Sequence, residues 1–340
     1  MGNIVCFGEI MARLNPLGNL RIVQAENLEI SYAGGEANVA VSLANYGKNA
    51  CFVTKLPNND LAKSAIRKLR SYGVNVDKIV LGGERMGIYF VEKGASQRAS
   101  KVLYDRKYSA ICEADVEDFD WDHIFKDTEW FHFTGITPAL SAKAAAVCLK
   151  ACKKAKEKNI IVSCDLNYRN KLWSSEEAGR VMGELMQYVD VAIANEEDCE
   201  KVFGIKASQT DLTVGKLSKE GYIEVAKTLS ERFGISKVAI TLRGSISASD
   251  NRWAGMLYAD GKSYFSKEYL IHIVDRVGGG DSFGGGLIYA LSSNYEPQKT
   301  IEFAVAASCL KHTIEHDFNE VTVEEVEKLM LGDGSGRVQR

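Results

Sequence analysis

The chain has 340 residues, a formal net charge of −3, 46% apolar residues and 26% charged ones. That length suits one large α/β domain or two smaller ones with a sizeable core, and the apolar fraction excludes a disordered chain. The small negative charge excludes an electrostatic footprint for nucleic acid or for an anionic membrane surface.

From the N-terminus, NIVCFG (residues 3–8) reads as a buried strand, and residues 11–33 hold no good helix. A helical pattern over 36–47, the strand ACFVTKL (50–56) and a helix over 59–72 come next. Residues 79–110 alternate and turn like antiparallel hairpins. The alternation then resumes. WFHFTG (130–135), IIVSCDL (160–166), VDVAIAN (189–195) and KVAITL (237–242) are strands, and helices cover 141–158, 175–187, 196–203 and 219–233. Strands come close together over 236–267, as in a hairpin, and helices fill 281–293, 297–314 and 322–331. This order predicts an α/β fold: a doubly wound, mostly parallel sheet with helices on both faces. The main domain is expected to comprise residues 1–10, 34–78 and 111–331. Residues 11–33 and 79–110 are expected to form a small antiparallel β lid, and 332–340 a flexible glycine-rich tail.

No apolar run approaches the roughly 20 residues of a membrane helix, and MGNIVCFGEIMARLNP lacks the pattern of a signal peptide. Eight scattered cysteines do not read as a disulfide framework. Cys148 and Cys152 sit four apart in a helical stretch; without two further ligands they read as buried thiols. A reduced, cytoplasmic protein is expected, with no nucleic-acid or membrane partner.

The strongest local feature is Asp275-Arg276-Val277-Gly278-Gly279-Gly280-Asp281, which opens the helix at 281–293. Three glycines expose backbone N–H groups at a helix N-terminus, where an anion is favoured, and Asp281 lies in the first turn. A carboxylate beside an anion hole is the pairing that phosphoryl transfer to an alcohol requires. Two common nucleotide motifs fail. A Rossmann fingerprint would need glycine at Phe283, and Gly261-Lys262-Ser263 has Met256 where a Walker A loop needs glycine.

This segment resembles the second signature of the PfkB, or ribokinase-like, carbohydrate kinases, usually D-T-x-G-A-G-D. Gly34-Gly35-Glu36-Ala37-Asn38 is similar to that family's first signature, about 240 residues earlier. The resemblance implies a ribokinase-like fold, ATP and Mg2+, with Asp275 helping to hold a monovalent cation such as K+ or the loop structure nearby. It implies Asp281 as catalytic base and an anion hole from the amides of Gly278, Gly279 and Gly280. Asn195-Glu196-Glu197-Asp198 is similar to the family's N-x-x-E element, with Asp198 in place of glutamate. Thr241, Arg243 and Gly244 fall where the family places its nucleotide loop. Lid sheets in this family commonly pair between subunits, which implies a homodimer.

Arg13 stands where many sugar kinases of the family carry an aspartate, and arginine suits a carboxylate better than an array of hydroxyls. Tyr89, Tyr104-Asp105-Arg106 and Asn167-Tyr168-Arg169 resemble the 2-keto-3-deoxygluconate kinases within the family. That likeness implies a sugar-acid acceptor held by Gly34, Gly35, Asn38, Tyr89, Tyr104, Arg106 and Arg169, with Asn167 and Arg169 also reaching the transferring phosphate. A fructokinase-like enzyme for a neutral sugar, or a catalytically silent sugar-binding protein, remain as alternatives. His312-Thr313-Ile314-Glu315-His316 fits the H-x-x-E-H zinc-protease pattern. Without a third ligand it is expected to be a surface or packing feature.

Overall fold

The computed structural model describes residues 2–207 and 219–332; positions 333–340 of the expected tail lie outside the described residues. Strand β1 (Asn3–Phe7) leads to β2 (Met11–Asn15), β3 (Glu29–Ala33), helix α1 (Gly35–Asn45), β4 (Ala50–Val53) and β5 (Lys55–Leu56). Helix α2 (Asp60–Ser71) precedes β6 (Val80–Leu81), β7 (Ile88–Glu92) and β8 (Lys101–Asp105). Next come α3 (Trp121–Ile124), β9 (Thr128–Thr134), α4 (Ile136–Ala139), α5 (Ala142–Glu157) and β10 (Ile161–Asp165). Helix α6 (Ser175–Leu185), β11 (Val191–Ala194), α7 (Glu196–Phe203) and α8 (Lys219–Phe233) lead to β12 (Lys237–Ser245). The remaining elements are β13 (Asp250–Ala259), β14 (Lys262–Phe265), β15 (Tyr269–His272), α9 (Gly279–Ser292), α10 (Pro297–Lys311) and α11 (Val323–Met330).

The main sheet runs β14-β13-β12-β11-β10-β9-β1-β4, with β15 also paired to β13. Strands β4, β1 and β9 to β12 are parallel, and β13 turns back antiparallel on β12. Their apolar runs are buried because helices cover both faces. Phe131, Phe133, Trp121 and Val162 belong to one core; Ile4, Phe52, Leu43 and Phe283 belong to the other. Polar caps start the helices: the side chains of Asn59, Ser141, Ser174 and Thr322 accept from Ala62, Ala144, Glu177 and Glu325 N–H groups. Cys148 and Cys152 are buried on α5 in the first core. No helix among the described residues is long and apolar enough to cross a membrane.

The two insertions build a four-stranded sheet in the order β3-β2-β7-β8. Each is antiparallel within itself, as expected, but they meet through β2 and β7, which run parallel. Local alternation predicts each hairpin; it carries no signal about which way two distant strands meet. The first strand of the second insertion departs from the lid altogether, since β6 pairs with β5 of the main body. Cross-strand register places Ser31, Arg13, Tyr89 and Tyr104 in one row, and Ile30, Leu14, Phe90 and Leu103 in the adjacent row on the opposite face.

Candidate active site

The carboxyl ends of the strands, the lid and the start of α9 enclose a cavity of about 760 Å³, within the size of small-molecule sites. Helix α9 begins on Gly278, whose φ of 82° is left-handed; a Cβ there would lie 2.1 Å from the Asp317 carbonyl oxygen. Only glycine fits this corner. Gly278 and Gly280 line the cavity. Gly279 does not: it packs on the His312 ring, 2.4 Å from where a Cβ would stand, and its N–H turns back towards the Arg276 carbonyl at 3.4 Å. The open wall of the turn is therefore made by Gly278, Gly280 and Asp281, with the first-turn amides unpaired by the helix itself.

Asp281 meets the start of α1. Its Oδ2 accepts from Asn38 Nδ2 at 2.6 Å, and a Cβ on Gly35 would stand 3.7 Å from its Oδ1. Gly34 is tight for another reason: a Cβ would collide with the Glu9 carbonyl oxygen at 1.9 Å. The Asp281 carboxyl is pushed up to about 6, first by burial and then by Asp317, while the Asn38 N–H, Arg169 and Lys311 hold it down. Beneath it, Glu36 accepts from Thr134 N–H, Thr134 Oγ1 and Thr137 Oγ1 at 2.9, 2.9 and 2.6 Å, and fastens α1 to the end of β9.

The lid supplies the opposite wall. Tyr89 and Tyr104 stack with ring centroids 5.9 Å apart, and the Arg106 guanidinium lies 5.2 Å over the Tyr104 ring. Arg106 Nε donates to Glu9 Oε2 at 2.8 Å, Nη2 donates to the same oxygen, and Ser109 Oγ donates to Glu9 Oε1 at 2.9 Å. The arginine is thus aimed by a carboxylate that follows β1. Arg13 corrects its expected role. It is wholly buried and off the cavity wall, with Nη2 2.6 Å from Asp275 Oδ2 and Nη1 2.5 Å from Asp317 Oδ1. Tyr89 Oη donates to Asp317 Oδ2 at 2.9 Å. The guanidinium serves two protein carboxylates and presents nothing to an acceptor.

Beyond Asp281, towards β11 and β12, the wall includes Asn167, Arg169, Asn195, Asp198, Thr241 and Arg243. Asn167 has a φ of 40°, a left-handed bend that asparagine tolerates, and Arg169 beside it is exposed. Asp198 Oδ1 accepts from Tyr168 N–H at 3.0 Å, while Asn195 and Asp198 cap α7 reciprocally. This shorter acid ties the loop after β10 to the start of α7. The expected nucleotide loop is not found here. Residues 241–244 are not a loop but the outer half of β12, paired with β13 up to Ser245 opposite Asn251. Gly244 lies opposite Arg252, away from the cavity wall. Asp275 is buried off the wall and holds the loop before the glycine turn, accepting from Arg13, His316 N–H and Val277 N–H.

The H-x-x-E-H pattern does not lie on one helix. Helix α10 ends at Lys311, His312 is its C-cap, and His316 has a φ of 64°. His312 Nδ1 sits 2.7 Å from the Ser308 carbonyl oxygen and its ring leans on Trp253; burial lowers its pKa to about 4. It is a neutral packing residue at the cavity edge. Sequence reasoning missed Glu9, Asp165 and Asp317, which all line the cavity. Glu9 and Asp165 follow or end strands β1 and β10, where this fold class places its ligands, and that position was the available signal. The Asp165 carboxyl is pushed well above the ordinary range by burial, then by Asp198 and Asp281.

A carboxylate at a glycine-turned helix start, facing a second glycine pair and a lid of tyrosines and arginine, defines a site for phosphoryl transfer to a small hydroxyl compound. The chain belongs to the PfkB family of carbohydrate kinases, whose model matches residues 1–315. It is similar to the solved structure of a 2-dehydro-3-deoxygluconokinase from Thermotoga maritima: 52% identity, TM-score 0.94, covering 97% of this chain and 98% of that one. A 2-dehydro-3-deoxygalactonokinase from Haloferax volcanii is 31% identical over 333 residues, 98% of each chain. A 2-dehydro-3-deoxygluconokinase from Thermoproteus tenax is 26% identical, over 91% of this chain and 88% of its own.

Proposed function

We propose that the protein transfers the γ-phosphoryl group of ATP to the terminal hydroxyl of 2-keto-3-deoxygluconate (2-dehydro-3-deoxygluconate), giving the 6-phosphate and ADP. The observation that carries this reading is the placement of Asp281 between the glycine turn and a lid wall that holds Arg106. Asp281 accepts the hydroxyl proton, the new O–P bond forms in line, and the bond to the bridging oxygen of ADP breaks. The amides of Gly278 and Gly280, on the open side of the turn, face the charge on the moving group, while Gly279 shapes the turn from behind. Gly34, Gly35, Asn38, Tyr89, Tyr104, Arg106 and Arg169 hold the sugar acid, and Asn167 reaches towards the transferred phosphate. Lid closure excludes water and protects ATP. Asn195, Asp198, Thr241 and Arg243 form the nucleotide side.

Among the described residues no three His, Cys, Asp or Glu side chains are grouped to hold a metal ion unaided. We read magnesium as the counter-ion of the nucleotide, entering with it. The oxygens of Asp165 and Asp198 suit it, and these two carboxylates repel each other in its absence. We place the protein in the cytoplasm, where its nucleotide is supplied.

The test is a steady-state comparison of 2-keto-3-deoxygluconate, its C4 epimer 2-keto-3-deoxygalactonate, gluconate, ribose and fructose. The keto acids are expected to give the highest kcat/KM; a preference for fructose would overturn the acceptor. Arg106→Ala is expected to lower kcat/KM for the keto acid by about tenfold or more, the worth of a charge-assisted hydrogen bond, with a much smaller effect on a neutral sugar.

A homodimer through the lid belongs to the same reading. Its support is the row Ile30, Leu14, Phe90 and Leu103 on the face away from the cavity, with Ile30 51% and Leu103 42% exposed. Sedimentation should show a dimer that the pair Ile30→Glu and Leu103→Glu converts to monomer; a monomeric parent would refute it.

A further inference from the structure

Lys311 closes α10 and is wholly buried. Its ammonium donates to three backbone carbonyls: His316 at 2.5 Å, Asp275 at 3.3 Å and Ile314 at 3.3 Å. An ammonium has three N–H donors and no acceptor, so this set satisfies it completely. The carbonyls belong to two segments. One opens the glycine turn at Asp275. The other follows α10 and backs the same turn, because the Asp317 carbonyl oxygen fills the space where a Gly278 side chain would be.

A cage of backbone carbonyls is what a dehydrated potassium ion needs in place of its water shell. The family resemblance attached a monovalent cation to Asp275, yet the Asp275 carbonyl here is already committed to an ammonium. Charge agrees with that occupancy. Arg13 bridges Asp275 and Asp317, and Lys311 feels both carboxylates. Arg13 and Lys311 already bring two positive charges to the carboxylates of Asp275, Asp317 and Asp281, and a further cation would enter against both of them. The cage does not suit a diffusible cation because a side chain fills it.

We propose that Lys311 replaces a dissociable monovalent cation: a tethered ammonium that clamps the two segments around the Gly278–Gly280 turn and makes turnover independent of potassium. It is a positioning residue, acting through the Asp275 and His316 carbonyls on amides it never touches. The rate measurements below rest on the kinase reading; the melting measurements do not.

The experiment compares the parent protein, Lys311→Ala and Lys311→Met in chloride salts of potassium, ammonium, sodium and choline at equal ionic strength. The parent is expected to show the same kcat in all four salts. Lys311→Ala leaves room for an ion and Lys311→Met fills it. Both are expected to lose on the order of 10- to 100-fold in kcat in choline, as small misplacements of catalytic groups do. Only the alanine variant should recover, saturably, with potassium or ammonium, and its melting temperature should rise with the same ions. A parent activated fivefold or more by potassium over choline would overturn the proposal without any variant. So would an alanine variant at parental rate in choline, one whose rate and melting temperature no cation restores, or equal recovery of the methionine variant. If no acceptor is phosphorylated in any salt, the kinase reading fails, and the melting series still decides the role of Lys311.

Discussion

Asp281→Asn is expected to lower kcat by on the order of 100- to 10,000-fold, the usual contribution of a positioned general base. Asparagine keeps the shape and one oxygen for the 2.6 Å bond from Asn38, so acceptor and nucleotide affinities should hold. The pH profile provides a second readout. With the Asp281 carboxyl at about 6 in the free protein, kcat/KM should be level above that pH and fall about tenfold per unit below it as the base is protonated. The residual rate of the variant should lack this limb. Near-normal turnover with unchanged binding, or a parental profile that stays flat to pH 5, would remove Asp281 from the base role. The stability linkage has a definite sign. A carboxyl raised on folding binds its proton more tightly in the native state, so its contribution is present below the ordinary carboxylate range and is lost as pH rises through about 6. The protein tolerates an unfavourably placed carboxylate at neutral pH, where the proposed base has to be ionised.

The largest expected loss of stability comes from Arg13→Ala. It would leave Asp275 and Asp317 facing each other at 1% and 4% side-chain exposure without the guanidinium between them. Removing one partner of a buried ionic cluster costs about 3–5 kcal/mol, read as a lower urea midpoint at unchanged slope. The same experiment separates the two roles considered for this residue. A direct contact to the acceptor would raise KM for the sugar acid and leave the midpoint in place. An exposed position would move neither.

The difference between those roles shows what the sequence could reveal. The helix over 219–233 and the alternation of strands with helices were legible because burial writes a period into each element. Asp281 and the glycine turn were legible because backbone donors and carboxylates are properties of short segments, whereas the lid tyrosines stood out only through the family resemblance, since a lone tyrosine in a strand reads as packing. Three other features were not. The parallel meeting of β2 and β7 depends on how two insertions leave the body. The end of α10 at Lys311 depends on carbonyls beyond the helix that capture its ammonium, which composition alone would extend to residue 314. Gly244 sits inside a strand because β13 pairs with it, and that partner follows it in the chain. Arg13 was misread for the same reason. A lone arginine after the first strand suggests an anion, and the anions were present, but 262 and 304 residues away within the chain itself.

That distance bears on how the molecule is made. The lid hairpins and the first core strands emerge early in synthesis, with Arg13 already among them. Its neutralising carboxylates emerge last, together with the glycine turn and Lys311. Until then the nascent lid holds a cation it cannot bury cheaply, so its docking must wait for the C-terminal third. A chain that ends before residue 317 lacks one of the two carboxylates that neutralise Arg13 and the acceptor of the Tyr89 hydroxyl.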